Sequence, residues 1–236
     1  MKLAVLDYFN LMGKTAVVTG GSGLLGKQWL DTLWEAGAWA LNFDIQDGYD
    51  ITDEKQIKEF AQVYDVDILI NNVCNNPQPN DLGDGWNLEA WVDDLNVGLT
   101  GAFLCTKYFG LNMRKLGGGV ILNIGSDYSN IAPDQRIYSG GKKPASYSVV
   151  KHGLVGLTRW AATYFADKNI RVNCLSLGGV YNNQPKEFVE RVSGLIPMGR
   201  MARVDEYRAA LLFMVSDASS YMTGANVIID GGRSIW

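Results

Sequence analysis

Histidine occurs once in the 236 residues, at His152, and cysteine three times, at Cys74, Cys105 and Cys174. A single imidazole rules out a His-rich metal site and leaves a Ser-His-Asp hydrolase little to work with. The cysteines lie far apart without ligand spacing. That excludes a disulfide framework and points to reduced thiols in a cytoplasmic protein. No apolar run approaches 18 residues, so no membrane span is expected. The start, MKLAVLDYFNLMGKTAV, has an early Asp7 and no small-residue cleavage site, which does not read as a signal peptide. A net charge of −4 gives no electrostatic basis for binding nucleic acid or an anionic membrane. Only six prolines are present, and no Pro/Ser linker, repeat or low-complexity tract divides the chain.

What is there is an alternation of apolar runs and amphipathic runs. KTAVVTG (14–20) is continuously apolar, as a buried parallel strand is. LLGKQWLDTLWEAGA (24–38) has helical spacing and ends at Gly37, a C-cap signal. WALNFD (39–44) is a second strand. TDEKQIKEFAQVY (52–64) is a helix opened by Thr52, with Lys55 where a capping box has an acid. Strands follow at 66–72, 119–126, 170–179 and 226–232. Helices are expected over 86–116, 144–168, 185–194 and 205–216. This βαβ order predicts one α/β domain over 1–236, a doubly wound parallel sheet with helices on both faces.

TGGSGLLG (19–26) joins the first strand to the first helix, and its Gly21, Gly23 and Gly26 fit G-x-G-x-x-G. Glycines there allow a tight turn, a close backbone approach to a pyrophosphate and tight helix–strand packing. Asp44 ends the second strand, 18 residues beyond Gly26. A carboxylate at that point accepts hydrogen bonds from ribose hydroxyls and repels a 2′-phosphate, so NAD is expected before NADP.

Taken in order, this loop, NNVC (71–74), NIGS (123–126), YSVVK (147–151), RVNCLSLGG (171–179) and YMTGANVIIDGG (221–232) resemble the short-chain dehydrogenase/reductase family over nearly the whole length. The resemblance implies a Rossmann-like fold and an oxidoreductase that moves a hydride between nicotinamide and a secondary alcohol or ketone. It implies catalytic roles for Ser126, Tyr147 and Lys151. Residues i and i+4 of a helix share a face, so Tyr147 and Lys151 can enter one cleft. The ammonium and the positive nicotinamide ring are expected to bring the tyrosine pKa down from near 10 toward the working pH. Cofactor contacts are implied for Gly20, Gly21, Ser22, Gly23, Leu25 and Gly26 of the loop. They are implied as well for Asp44, Asp50, Ile51, Asn72 and Val73, and for Gly178, Val180 and Asn182 together with Tyr147 and Lys151.

The chain departs from the family in several places. The position of the usual relay asparagine falls on Gly98, and Asn96 lies about 200° away around a helix. Either a water fills the place beside Gly98 or the relay is rerouted. Val73 and Cys74 replace Ala-Gly, and Leu177 stands where proline is usual. Ser126 and Tyr147 are 21 residues apart, a longer separation than compact members carry. This insertion, about 127–146, must begin and end beside the reacting centre. Together with Ser126, its Arg136, Lys142 and Lys143 are candidate substrate contacts favouring an anion, a sugar phosphate or nucleotide sugar. IAPDQ, KP..YSV.KHG, GGVYNNQP and IPMGRMA look like oxidoreductases of flagellin-glycan and nonulosonic-acid sugar pathways.

The helices at 99–113 and 147–165 are apolar around much of their circumference, which predicts a homodimer or homotetramer with Trp160 and Tyr164 in the contact. Two other functions stay open. One is a sugar epimerase or dehydratase using NAD transiently, and the other a catalytically silent NAD-binding sensor.

Overall fold

The first buried run, Thr15–Thr19 (β1), is apolar throughout because the sheet is covered on both sides. Ala16 and Val18 pack with one layer of the core and Val17 with the other. The computed structural model describes residues 4–77 and 87–236 of this single α/β domain. After β1 come α1 (Leu24–Glu35), β2 (Trp39–Phe43), α2 (Glu54–Val63), β3 (Ile68–Asn71), α3 (Leu88–Leu95) and α4 (Gly101–Leu116). The second half holds β4 (Gly119–Ser126), α5 (Ala145–Phe165), β5 (Ile170–Leu177), α6 (Lys186–Ser193), α7 (Arg208–Val215) and β6 (Asn226–Ile229).

All six strands are parallel, in the order β2-β1-β3-β4-β5-β6. From β1 the chain first crosses to one side, then returns to the other side as β3. The crevice of such a sheet opens at that reversal, beyond the carboxyl ends of the strands. Leu30 and Leu33 of α1 and Leu211 and Met214 of α7 cover one face. Phe60 of α2, Phe109 and Met113 of α4, and Phe165 of α5 cover the other. No helix among the described residues is long and apolar enough to cross a membrane.

Several expected elements are corrected. The helix expected over 86–116 is two helices joined by a wider π turn at Asn96–Thr100, and residue 86 lies outside the described residues. Thr52 does not cap α2. Asp53 does, its carboxylate accepting from the backbone N–H groups of Lys55 and Gln56 at 2.9 and 3.2 Å. The Thr52 hydroxyl instead donates to Asp50 at 2.7 Å. An aspartate directly before the first turn is the stronger cap, and the hydroxyl is already committed. The helix expected over 144–168 ends at Phe165, in a 3-10 turn closed by Asn169 at φ 56°.

Candidate active site

A cleft of about 1170 Å³ opens at the carboxyl ends of the strands, between the glycine turn after β1 and the segment 127–146. At one end lie Gly20, Gly23 and Leu25, followed by Asp44, Asp50 and Ile51, with Asn72 and Val73 on the facing turn. Gly20 adopts φ +67°, and a Cβ there would come within 2.8 Å of Val73 Cγ2. Asn72 braces this turn, donating to the carbonyls of Thr19 and Gly20 at 3.0 Å each. No side chain caps the start of α1, so its first N–H groups are available to an anion. Asp44 is buried beside them, held by the backbone N–H of Ser22 at 3.0 Å and of Gln46 at 2.9 Å. A glycine cradle, an uncapped helix start and a fixed carboxylate at the end of β2 fit a dinucleotide.

Three residues of the glycine loop do not line the cleft. A Cβ on Gly26 would come within 2.6 Å of Gly21 Cα, so this glycine is needed where α1 crosses the turn. Gly21 faces Asn42 and Leu30, with no room for a side chain. Ser22 turns its hydroxyl to Asn42, which donates to it at 3.0 Å. These residues shape the cradle from behind.

At the other end, Ser126, Tyr147 and Lys151 line the same cleft. Ser126 is the last residue of β4, while Tyr147 and Lys151 lie one turn apart on α5. The Lys151 ammonium is buried, donates to the carbonyl of Ile124 at 2.8 Å and lies 5.7 Å from the centre of the Tyr147 ring. Burial works to lower its pKa, but the acidic neighbours Cys74 and Tyr147 more than offset this and hold it above the ordinary value. For Tyr147 the chain's own groups do not bring the expected depression. Desolvation pushes the phenol above its ordinary value, with Lys151 and Ser126 pulling the other way. The Ser126 hydroxyl donates to Asp127 at 2.8 Å and accepts from the Tyr128 N–H at 3.2 Å.

The place beside Gly98 is closed. A Cβ on Gly98 would lie 2.7 Å from Val150 Cγ1 and 3.3 Å from Cys74 Sγ. Asn96 is exposed on the π turn and does not line the cleft. Gly178, Val180 and Asn182 follow β5 along the cleft floor. Leu177, in the usual proline place, is buried in the core.

The segment 127–146 folds over the substrate end. The Gln135 side chain pairs with the backbone of Lys143 at 2.8 and 3.2 Å, and the Tyr128 and Tyr138 hydroxyls meet at 2.8 Å. The candidate substrate cations separate. Arg136 is exposed, tied to Asp134 at 2.7 Å, and off the cleft. Lys142 is exposed and also off it. Lys143 lines the cleft. Its ammonium sits 4.2 Å from the centre of the Tyr147 ring and donates to Asn76 at 2.7 Å and the Pro77 carbonyl at 3.1 Å. Asp127, Tyr128, Arg191 and Arg233 also line this end, and no sequence pattern pointed to them. Among the described residues no His, Cys, Asp and Glu cluster could hold a metal ion.

Burial pushes the Lys143 ammonium down from 10.5 to about 8. Between these two values the unfolded chain binds more protons than the folded one, so this group makes stability rise with pH across that window and costs stability below it. Comparison of Lys143→Met with the parent by urea unfolding is expected to show the variant's advantage shrinking between pH 8 and 10. A difference independent of pH would count against a buried, charged Lys143.

The sequence profile described as enoyl-(acyl carrier protein) reductase matches residues 31–234. An NAD-dependent glycerol dehydrogenase of Listeria innocua serovar 6a is 33% identical, with 96% of each chain covered. A 2-dehydro-3-deoxy-D-gluconate 5-dehydrogenase of Bacillus subtilis is 30% identical, also with 96% of each chain covered. A crystal structure of a short-chain dehydrogenase from Leptospira borgpetersenii with bound NAD+ is 31% identical. It superposes with a TM-score of 0.89, covering 100% of this chain and 97% of that one. With the glycine cradle, Ser126, Tyr147 and Lys151 all on one cleft of a parallel sheet, this chain belongs to the short-chain dehydrogenase/reductase family of oxidoreductases.

Proposed function

We propose that the chain is an NAD-dependent dehydrogenase that interconverts a secondary alcohol and its ketone on a small, polyhydroxylated substrate. The observation that carries this reading is the single cleft in which Ser126, Tyr147 and Lys151 share a wall with the Gly20–Leu25 turn and Asp44. NAD, when bound, supplies hydride acceptance and return. Gly20, Gly23 and Leu25 would hold its pyrophosphate, Asp44 its ribose, and Asp50, Ile51, Asn72 and Val73 the adenosine. Gly178, Val180 and Asn182, with Tyr147 and Lys151, would hold the nicotinamide end.

In alcohol oxidation the Tyr147 hydroxyl oxygen, as phenolate, takes the proton of the carbinol. Desolvation opposes that phenolate, so it needs positive charge beside it. Lys143 and Lys151, 4.2 and 5.7 Å from the ring centre, supply two cations. Ser126 turns its hydroxyl from Asp127 to the reacting oxygen and polarises it. Val150 and Cys74 fill the place beside Gly98, so the proton leaves by a path other than an asparagine-held water there.

Two relatives are named for glycerol and 2-dehydro-3-deoxy-D-gluconate, which supports a small hydroxylated substrate. Neither of these relatives is named for the flagellin-glycan or nonulosonic-acid role that the narrower resemblance implies. A sugar phosphate or nucleotide sugar rests on Arg136, Lys142 and Lys143. Two of these lie off the cleft and the third is hydrogen-bonded to the chain, so that class loses its support from them. Three unpaired cysteines support a cytoplasmic location.

Assembly is read from the outer face of α4 and α5. Trp160 and Tyr164 stack at 5.0 Å, each half-exposed, and Phe103 is 41% exposed. Rings of this size left on one face favour a second copy over water.

Three outcomes are expected. Tyr147→Phe should lower kcat at least about 100-fold without weakening NAD binding, measured by NADH formation and by fluorescence titration. An unchanged rate would overturn the catalytic assignment, and substrate converted without stoichiometric NADH would favour the epimerase or dehydratase, which return the hydride within each turnover. Asp44→Ala should raise the NADP/NAD ratio of kcat/KM about tenfold or more, by removing the charge that meets a 2′-phosphate. An unmoved ratio would remove Asp44 from cofactor choice. Light scattering should give a dimeric or tetrameric mass, falling toward the monomer in Trp160→Glu/Tyr164→Glu. A monomeric parent protein would overturn the assembly.

A further inference from the structure

Besides Lys151, five cationic side chains lie on or near the substrate end, and their bonding sorts them. Arg136 and Lys142 are off the cleft. Lys143 is committed to Asn76 and Pro77. Arg191 lines the cleft, but it ties down the overlying segment, donating to the Ile137 carbonyl at 2.9 Å and to the Ser139 hydroxyl at 2.6 Å. Arg233 differs from all of these. It follows the double glycine after β6, lines the cleft and is only 9% exposed. Its guanidinium makes no hydrogen bond or ion pair with any described residue, and only its backbone N–H is bonded, to the Asp230 carbonyl at 3.2 Å.

The carboxylates near it are already in use. Asp230 accepts from the backbone N–H groups of Gly232 and Ser234 at 2.9 and 2.8 Å. Asp127 accepts at one oxygen from the Ser126 hydroxyl and the Tyr128 N–H, at 2.8 and 2.9 Å. The little exposure Arg233 keeps is toward the cleft, and a cation left there without a hydrogen bond or ion pair from a described residue is placed to take its counter-ion from a ligand. The position is also the right one. The charge of Arg233 acts on Asp127, Tyr128 and Tyr138, and the Tyr128 ring stands edge-on to Tyr147 at 6.2 Å. Arg233 therefore belongs to the side of the cleft where the carbinol reacts, and Asp44 belongs to the opposite end.

We propose that Arg233 reads the carboxylate of the substrate, so that the alcohol oxidised beside Tyr147 is carried by a small hydroxy acid of the aldonate type. The planar fork of a guanidinium matches a carboxylate with two parallel hydrogen bonds. One unpaired cation also suits a single charge better than a phosphate dianion. The inference rests on the dehydrogenase reading of the same cleft, and it names what that reading leaves open.

The test is calorimetric titration of the NAD-saturated protein with three probes: D-gluconate, D-sorbitol and sorbitol 6-phosphate. It is run on the parent, Arg233→Gln and Arg233→Lys, with folding checked by circular dichroism. Arg233→Gln should weaken gluconate binding about 10- to 100-fold and sorbitol binding at least about tenfold less, with Arg233→Lys between. Equal losses for gluconate and sorbitol would overturn the proposal. So would a loss confined to sorbitol 6-phosphate, or no gluconate binding to the parent at millimolar concentration. NADH formation is read in the same samples. Arg233-dependent gluconate binding without NADH would sustain this inference and sink the dehydrogenase reading alone.

Discussion

The buried ammonium of Lys151 and the carbonyl of Ile124, 2.8 Å apart, fix how the long helix α5 lies against the central strand β4. An ammonium out of water costs several kcal/mol unless it is bonded, so α5 cannot slide without stranding a charge. A second polar ladder holds the same layers. Asn71 donates to Asn123 at 2.8 Å and to Thr106 at 3.1 Å, and Asn123 donates to Thr158 at 2.8 Å. These bonds join β3, β4, α4 and α5. The phenol one turn before Lys151 is thereby placed beside Ser126, which ends the same strand. The geometry of these candidate catalytic groups is set by packing that lies beneath them.

The cofactor end has a different cause. Strand order reverses between β1 and β3, so the connections leaving these strands diverge and leave a crevice. The glycine turn occupies one lip, with Asn72 bracing it from the other. Charge is handled by separation. The Asp44 carboxylate stands at one end, while Lys151, Lys143, Arg191 and Arg233 are gathered at the other. Of those four cations, one holds the helix, one covers the tyrosine ring and one ties down the overlying segment. The side chain of the fourth, Arg233, has no hydrogen-bond or ion-pair partner among the described residues.

Gly98 shows how one small residue changes a shared plan. Its missing side chain is not an empty place, because Val150 and Cys74 have closed on it. The turn that carries it is a π turn, which offsets the two halves of what reads in the sequence as one helix. The insertion before α5 brings Lys143 over the Tyr147 face, a cation that the i,i+4 pair alone does not provide.

Much of this was legible in the chain itself. Strand and helix alternation, the glycine turn and Asp44 follow from local rules, burial on two faces and the need for glycine at a tight turn. The Ser126–Tyr147–Lys151 set is what the family resemblance implies, with the i,i+4 spacing only compatible with it. Other features depend on distant partners. The acid that caps α2, the break at Asn96–Thr100 and the closing of Gly98 are decided by neighbours that spacing does not reveal. The same holds for charge. Arg136 and Lys142 share a segment with Lys143, yet only Lys143 turns into the cleft, because Asn76 and Pro77 from another loop receive its ammonium. Arg233 gives no signal in a chain read locally, since it matters only where the end of β6 meets the segment after β4. The sequence by itself determined which residues are candidates for the chemistry, because residue type, short-range period and the order of the family's motifs are all written in it. Only the tertiary structure decided which charges face the substrate, because desolvation and pairing are properties of the assembled cleft.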